Sequence, residues 1–222
     1  MDAIRLSLIF FVLVFFLREY FAYRKNLFLK YIFTPLVMLS VVFVAFVSIA
    51  VNGPGVLNSS VLIGLIFALI ADVMLMVEEV DLVKPALPFI TMTHVIYISI
   101  FLRGISFEIW NVGPALFFMG AGIFMFLKLK ENLYSFRVPV IMYILALSVM
   151  AYTAIVLLNK GTGYYEISVA AGGFLLWVSD VILATNKYIR KIENSTVFTW
   201  LFYAPGQLLI AFSAVTYFPK SM

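Results

Sequence analysis

The chain has no cysteine and one histidine, His94. Without cysteine there can be no disulfide, thiolate metal site or thiol nucleophile, although the compartment is left open. With one histidine, no paired-histidine zinc motif can form. A set of two aspartates and His94 is the most a metal would meet, and no spacing supports it, so no metal is expected. Charge is scarce as well, at 12% of 222 residues against 64% hydrophobic. No water-soluble domain of this length conceals so much apolar surface, so the class is an integral membrane protein. No Ser-His-Asp set, Walker motif, dinucleotide fingerprint or HExxH occurs. No separate soluble domain is present, so residues 1–222 read as a single transmembrane helical domain that must carry the function itself. The net charge of +4 sits in short loops and reads as topology, not as nucleic-acid binding.

Spanning the hydrocarbon takes about 17–25 apolar residues. Eight runs qualify: Ile4–Tyr23, Tyr31–Val51, Ser60–Val77, Pro85–Leu102, Val112–Leu127, Val138–Leu158, Tyr164–Thr185 and Val197–Phe218. The expected fold class is therefore all-α, a polytopic membrane protein built as a bundle of about eight transmembrane helices. Asn52-Gly53-Pro54-Gly55 and Asn159-Lys160-Gly161-Thr162-Gly163 are turns. Glu78-Glu79 with Asp81 and Lys84 closes the third span. Leu6–Leu17 has the length of a signal-peptide apolar core, but Arg18-Glu19-Tyr20 follows instead of a small-residue cleavage site. It reads as a retained first helix.

Loop charge gives an orientation. Loops one, three, five and seven hold Arg18, Arg24, Lys25, Lys30, Lys84, Lys128, Lys130, Arg137, Lys187, Arg190 and Lys191. Only Arg5, Arg103, Lys160 and Lys220 lie elsewhere. The positive-inside rule then puts the odd loops in the cytoplasm and both termini outside. The expected location is multi-pass in a bacterial inner (cell) membrane.

Two acids lie inside apolar spans: Asp72 in GLIFALIADVMLM and Asp180 in GGFLLWVSDVILA. A carboxylate in a bilayer costs several kcal/mol unless protonated, paired or wetted, so such residues mark functional sites by default. The bland reading is structural glue between helices. The contexts match, however: a glycine eight residues earlier (Gly64, Gly172), then Asp-Val-x-Leu. Asp72 is six residues before Glu78, and Asp180 seven before Lys187. At 1.5 Å per residue both should lie roughly 9–11 Å inside the cytoplasmic helix ends. Pro35-Leu-Val-Met and Pro139-Val-Ile-Met, which open spans two and six, add to the match. The pattern suggests a 4+4 parallel internal repeat, and parallel repeats place sites between their halves.

Other polar groups join these acids. His94 and Tyr97, three apart, share a helical face; the plain reading for His94 is an interhelical hydrogen bond. Tyr143, Tyr203 and Gln207 are polar positions in spans six and eight. Tyr203 and Gln207 share a face, and Tyr203 sits near the level of the acids. Most transmembrane tyrosines are interfacial. Trp177, three residues before Asp180, either walls the acid from water or simply packs. Gly113, Gly120 and Gly122 suit close helix packing.

GLIFALIADVMLM, THVIYISIF, FLLWVSDVILATN and FYAPGQLLIA, in that order, make the chain resemble the lysoplasmalogenase family, the YhhN-like multi-pass membrane proteins. The resemblance covers nearly the whole chain. It implies hydrolysis of the vinyl ether bond of a lysophospholipid substrate, a lysoplasmalogen, to a fatty aldehyde and a glycerophospho-ethanolamine or -choline. Asp72 and Asp180 would be catalytic, with no metal or organic cofactor. His94, Tyr97, Tyr143, Trp177, Tyr203, Gln207 and Lys30 would bind substrate. The other expected partners are membrane lipids. The resemblance leads one to expect a lysine just before the proline of span two. Thr34 precedes Pro35 here, and the nearest lysine is Lys30, four residues from Thr34 and on the same face. Two other classes fit buried paired acids: a proton- or cation-coupled transporter, and a lipid-binding protein without turnover.

Overall fold

The computed structural model describes residues 2–77, 79–105, 108–133 and 136–216. Among them are eight α-helices: α1 (Asp2–Tyr23), α2 (Leu27–Asn52), α3 (Val56–Leu75), α4 (Val83–Phe101), α5 (Val112–Leu129), α6 (Arg137–Val156), α7 (Tyr164–Ala184) and α8 (Ser195–Thr216). Each lies in a segment long and apolar enough to cross a membrane. The protein is an all-α, polytopic membrane bundle, and the described residues hold no strand. Phe218, the expected end of the last span, lies outside the described residues.

Local chemistry sets the helix starts. Asn26 caps α2: its side-chain oxygen accepts from the Leu29 backbone N–H at 3.1 Å. This cap starts α2 four residues before the expected Tyr31, so Lys30 belongs to the helix, not to a loop. Between α2 and α3, Gly53 adopts φ 77, a left-handed conformation that favours glycine. Asn58 locks that turn, accepting from the Gly55 N–H at 2.7 Å and donating to the Gly53 carbonyl at 2.6 Å.

The helices α2, α3, α4, α6, α7 and α8 form a closed ring in that order. The remaining two stand outside it, α1 against α2 and α8, and α5 against α6. Exchanging helices one to four with five to eight maps the main packing pairs onto one another. Thus α1–α2 corresponds to α5–α6, α2–α3 to α6–α7, α3–α4 to α7–α8, and α4–α6 to α8–α2.

The glycines that precede the two acids allow close packing inside each half. A Cβ on Gly64 would meet the Tyr97 ring of α4 at 2.6 Å. One on Gly172 would meet the Gly206 carbonyl and the Ile210 side chain of α8 at 2.9 Å each. Gly122 likewise admits Ser148 of α6. Gly113 and Gly120, expected to serve the same purpose, would meet nothing within 4 Å of an added Cβ, because α5 lies outside the ring.

Candidate active site

At the odd-loop end of the ring a cavity is lined by side chains of α1, α2, α3, α4, α7 and α8. Asp72 and Asp180 both border it. The two carboxyl groups are near enough to interact electrostatically.

The helix lengths do not put the acids at matching distances from their helix ends. Helix α3 stops at Leu75, so Asp72 occupies its last turn, three residues or about 4.5 Å from the end. Glu78, the expected marker of that end, lies outside the described residues. Helix α7 instead continues through a π-helical turn, Thr185–Ile189. It is the packing of the ring that brings the acids to one cavity.

Each acid takes its partner from the opposite half. Tyr203 of α8 donates to Asp72 Oδ2 at 2.8 Å. His94 Nε2 of α4 lies 3.1 Å from Asp180 Oδ2 of α7. A third link crosses beneath them, where the Tyr97 hydroxyl donates to Gln207 Oε1 at 2.8 Å. Gln207 borders the cavity, while Tyr97 is fully buried below it against Gly64. The link is buried: Tyr97 and Gln207 are 0% and 1% exposed.

The His94–Asp180 pair leaves one polar atom over. His94 Nδ1 is buried without a hydrogen-bond partner, and so is the Ser179 hydroxyl; both residues border the cavity. With the proton on Nε2, toward Asp180, Nδ1 presents a bare lone pair. Among the described residues no three His, Cys, Asp or Glu side chains gather as a metal site would require.

The cavity thus collects Asp72, Asp180, His94, Tyr203, Gln207 and Lys30 of the expected site residues. Tyr97, Tyr143 and Trp177 do not border it. Tyr97 holds Gln207, which does border it. Tyr143 stands behind His94, with ring centroids 5.9 Å apart, and beside Asp180. Trp177 turns away toward α5, where Phe117 and Phe118 pack on its ring at 5.7 and 5.4 Å.

The YhhN family model matches residues 29–214. The chain belongs to the YhhN family. No curated protein and no solved structure matches the chain. The YhhN match takes in both acids and the partners that cross to them, and leaves all of α1 outside it.

Sequence reasoning missed Arg18 in this YhhN chain. It sits in α1, 1% exposed, and borders the cavity. Its guanidinium lies over the Trp200 ring at 4.3 Å and bonds Glu19 at 2.7 Å and the Thr196 carbonyl at 3.3 Å. Arg18 and Lys30, at 4% exposed, are therefore cavity groups and not loop charges. The only signal was Arg18's place directly after an apolar run. Ser179 was overlooked beside its acidic neighbour.

Proposed function

We propose that this protein is a membrane-embedded hydrolase that cleaves the vinyl ether bond of lysoplasmalogens. The products are a fatty aldehyde and a glycerophospho-ethanolamine or -choline. The observation that carries the reading is the pair of cross-bonded acids on one cavity. The buried Tyr97–Gln207 bond beside the acids suits a pocket that receives one lipid, where a transporter needs a path onward. The basic end would face the cytoplasm, so that the head group stays at the inner surface.

The chemistry divides between the two pairs. Asp72, held by Tyr203, is the general acid. It gives its proton to the β-carbon of the vinyl ether; the π bond supplies the electrons, and an oxocarbenium ion forms at the carbon joined to oxygen. The Asp180 carboxylate stabilises that cation, as a carboxylate does on glycosides. Water adds to the cation and yields its proton to His94 Nδ1, an imidazole fixed by Asp180 on its other nitrogen. The hemiacetal then collapses: its hydroxyl proton passes to the Asp72 carboxylate, the C–O bond to glycerol breaks, and His94 returns its proton to the departing oxygen. One water is consumed and both residues regain their starting protonation.

The test is aldehyde release by purified protein from a lysoplasmalogen, beside the saturated alkyl ether and the acyl ester of the same chain length. Aldehyde from the alkenyl lipid alone is expected, since only its double bond accepts the proton. Fatty acid released equally from the acyl ester would make the protein an esterase and refute this mechanism.

A further inference from the structure

Tyr97 carries a buried hydroxyl that the proposed chemistry leaves unused. It does not border the cavity, and its ring is fixed. The notch that Gly64 leaves in α3 receives the ring, where a Cβ would meet it at 2.6 Å, and Phe101 stacks on it at 6.1 Å. A phenylalanine would fill that space equally well. The hydroxyl therefore answers to hydrogen bonding and not to packing, since a buried polar group is costly unless bonded. Among the described residues its one hydrogen-bond partner is Gln207, at 2.8 Å.

That bond begins a chain. The Tyr97 hydroxyl donates to Gln207 Oε1, Gln207 in turn bonds the Tyr203 hydroxyl one helical turn away, and Tyr203 donates to Asp72 Oδ2. Donors and acceptors settle its direction. A tyrosine hydroxyl carries one proton, and an amide has a donor end and an acceptor end. Tyr203 gives its proton to Asp72, so its oxygen receives one from the Gln207 amide N–H. Gln207 Oε1 is then turned to Tyr97, whose proton meets it. A neutral Asp72 in this arrangement accepts on Oδ2 and carries its own proton on Oδ1. In the reverse direction Asp72 donates from Oδ2 to Tyr203, Tyr203 donates to Gln207 Oε1, and the amide N–H donates to the Tyr97 oxygen. The Tyr97 proton is then buried without an acceptor, which is costly.

We infer that Tyr97 and Gln207 are positioning residues. By fixing the direction of this chain of hydrogen bonds, they hold the Asp72 proton on Oδ1, the oxygen that Tyr203 leaves free. That Oδ1 serves the substrate rests on the hydrolase reading; the direction of the chain does not. Gly64 then serves the acid eight residues on, because the notch it leaves seats the ring that ends the chain.

The experiment is infrared difference spectroscopy on the purified full chain in detergent, at a pH acid enough to protonate Asp72. The band followed is the carboxylic-acid C=O stretch that Asp72→Asn removes. Its frequency falls when the carbonyl accepts a hydrogen bond, and Tyr203→Phe supplies the position of a carbonyl without that bond. Wild-type protein should give one band, at the bonded position. Tyr97→Phe keeps the ring in its notch but removes the proton that sets the direction. Each direction then leaves one end of the Gln207 amide unmet, so a second band should appear at the unbonded position. Adding Gln207→Met should return the single bonded band, since a reversed Tyr203 hydroxyl has lost its acceptor. A merely structural Tyr97 would not be rescued by a second change. One band in Tyr97→Phe, or two in the double variant, overturns the proposal.

Steady-state kinetics separate the chain from the reaction. Tyr97→Phe should lower kcat about twofold or more with KM unchanged, because part of the enzyme then holds its proton away from substrate. Bands that split and rejoin as expected, with no aldehyde released by wild type from the alkenyl lipid, uphold the chain and overturn only the hydrolase reading. Aldehyde released by wild type, with one band and full turnover in Tyr97→Phe, overturns the chain and leaves that reading standing.

Discussion

Tyr203 reaches from the last helix of the ring to Asp72 at the end of α3 and donates to it at 2.8 Å. The bond joins the two halves of the bundle at the acid, where a hydroxyl can hold one oxygen of the carboxyl and leave the other for substrate.

Tyr203→Phe tests that bond, since it removes the hydroxyl and little else. A hydrogen bond to a charged group contributes about 1.5–3 kcal/mol, so turnover should fall roughly 10–100-fold. The bundle should stay folded, because the ring keeps its packing against Trp200 at 5.3 Å. Steady-state aldehyde release beside a thermal melt is the measurement. Unchanged turnover would remove Tyr203 from the mechanism.

Asp72→Asn and Asp180→Asn should each lower turnover at least about 10²-fold, the smallest share general acid catalysis supplies. The double variant should be scarcely worse than the worse single one, because groups acting as a unit fail together. Neither change should unfold the bundle, as an amide is cheaper to bury than a lone carboxylate. Near-normal turnover in either single variant would mark that Asp as structural.

His94 and Asp180 should be energetically coupled. In a double-mutant cycle on kcat/KM with His94→Gln and Asp180→Asn, the interaction term should exceed about 0.5 kcal/mol, the floor for residues in direct contact. The parallel cycle of His94→Gln with Tyr203→Phe should show the smaller coupling. Equal coupling in both cycles would contradict the division into two separate pairs.

Gly172→Ala should destabilise the bundle by about 1–3 kcal/mol, the usual cost of overpacking. Its Cβ would press at 2.9 Å on the Gly206 carbonyl, and backbone cannot swing aside. Gly120→Ala is the control: its Cβ would meet nothing within 4 Å, and stability should hardly move. Midpoints of unfolding in a common detergent decide the comparison.

The eight spans, both acids and the pairing of their contexts were legible because hydrocarbon thickness and burial cost constrain the sequence directly. The glycine eight residues before each acid was visible too, although its cause is the approach of α4 and α8 to Gly64 and Gly172. Other features hinged on rotation and on which helices meet. Trp177 and Asp180 lie one turn apart, yet only the acid borders the cavity. Arg18 read as a loop charge because nothing in α1 reveals that Trp200 and Thr196, far along the chain, will receive it. Counting residues gave the wrong distances to the helix ends, because α3 stops early and α7 runs on through its π-turn, although both acids border one cavity.

The crossed partners also set an order of events during synthesis. Asp72 enters the membrane 131 residues ahead of Tyr203, and His94 precedes Asp180 by 86. At about 5–20 residues per second, Asp72 waits roughly 7–26 s for its partner. Asp180 arrives with His94 already in the bilayer, so it meets a waiting partner, while Asp72 goes without its own until α8 follows.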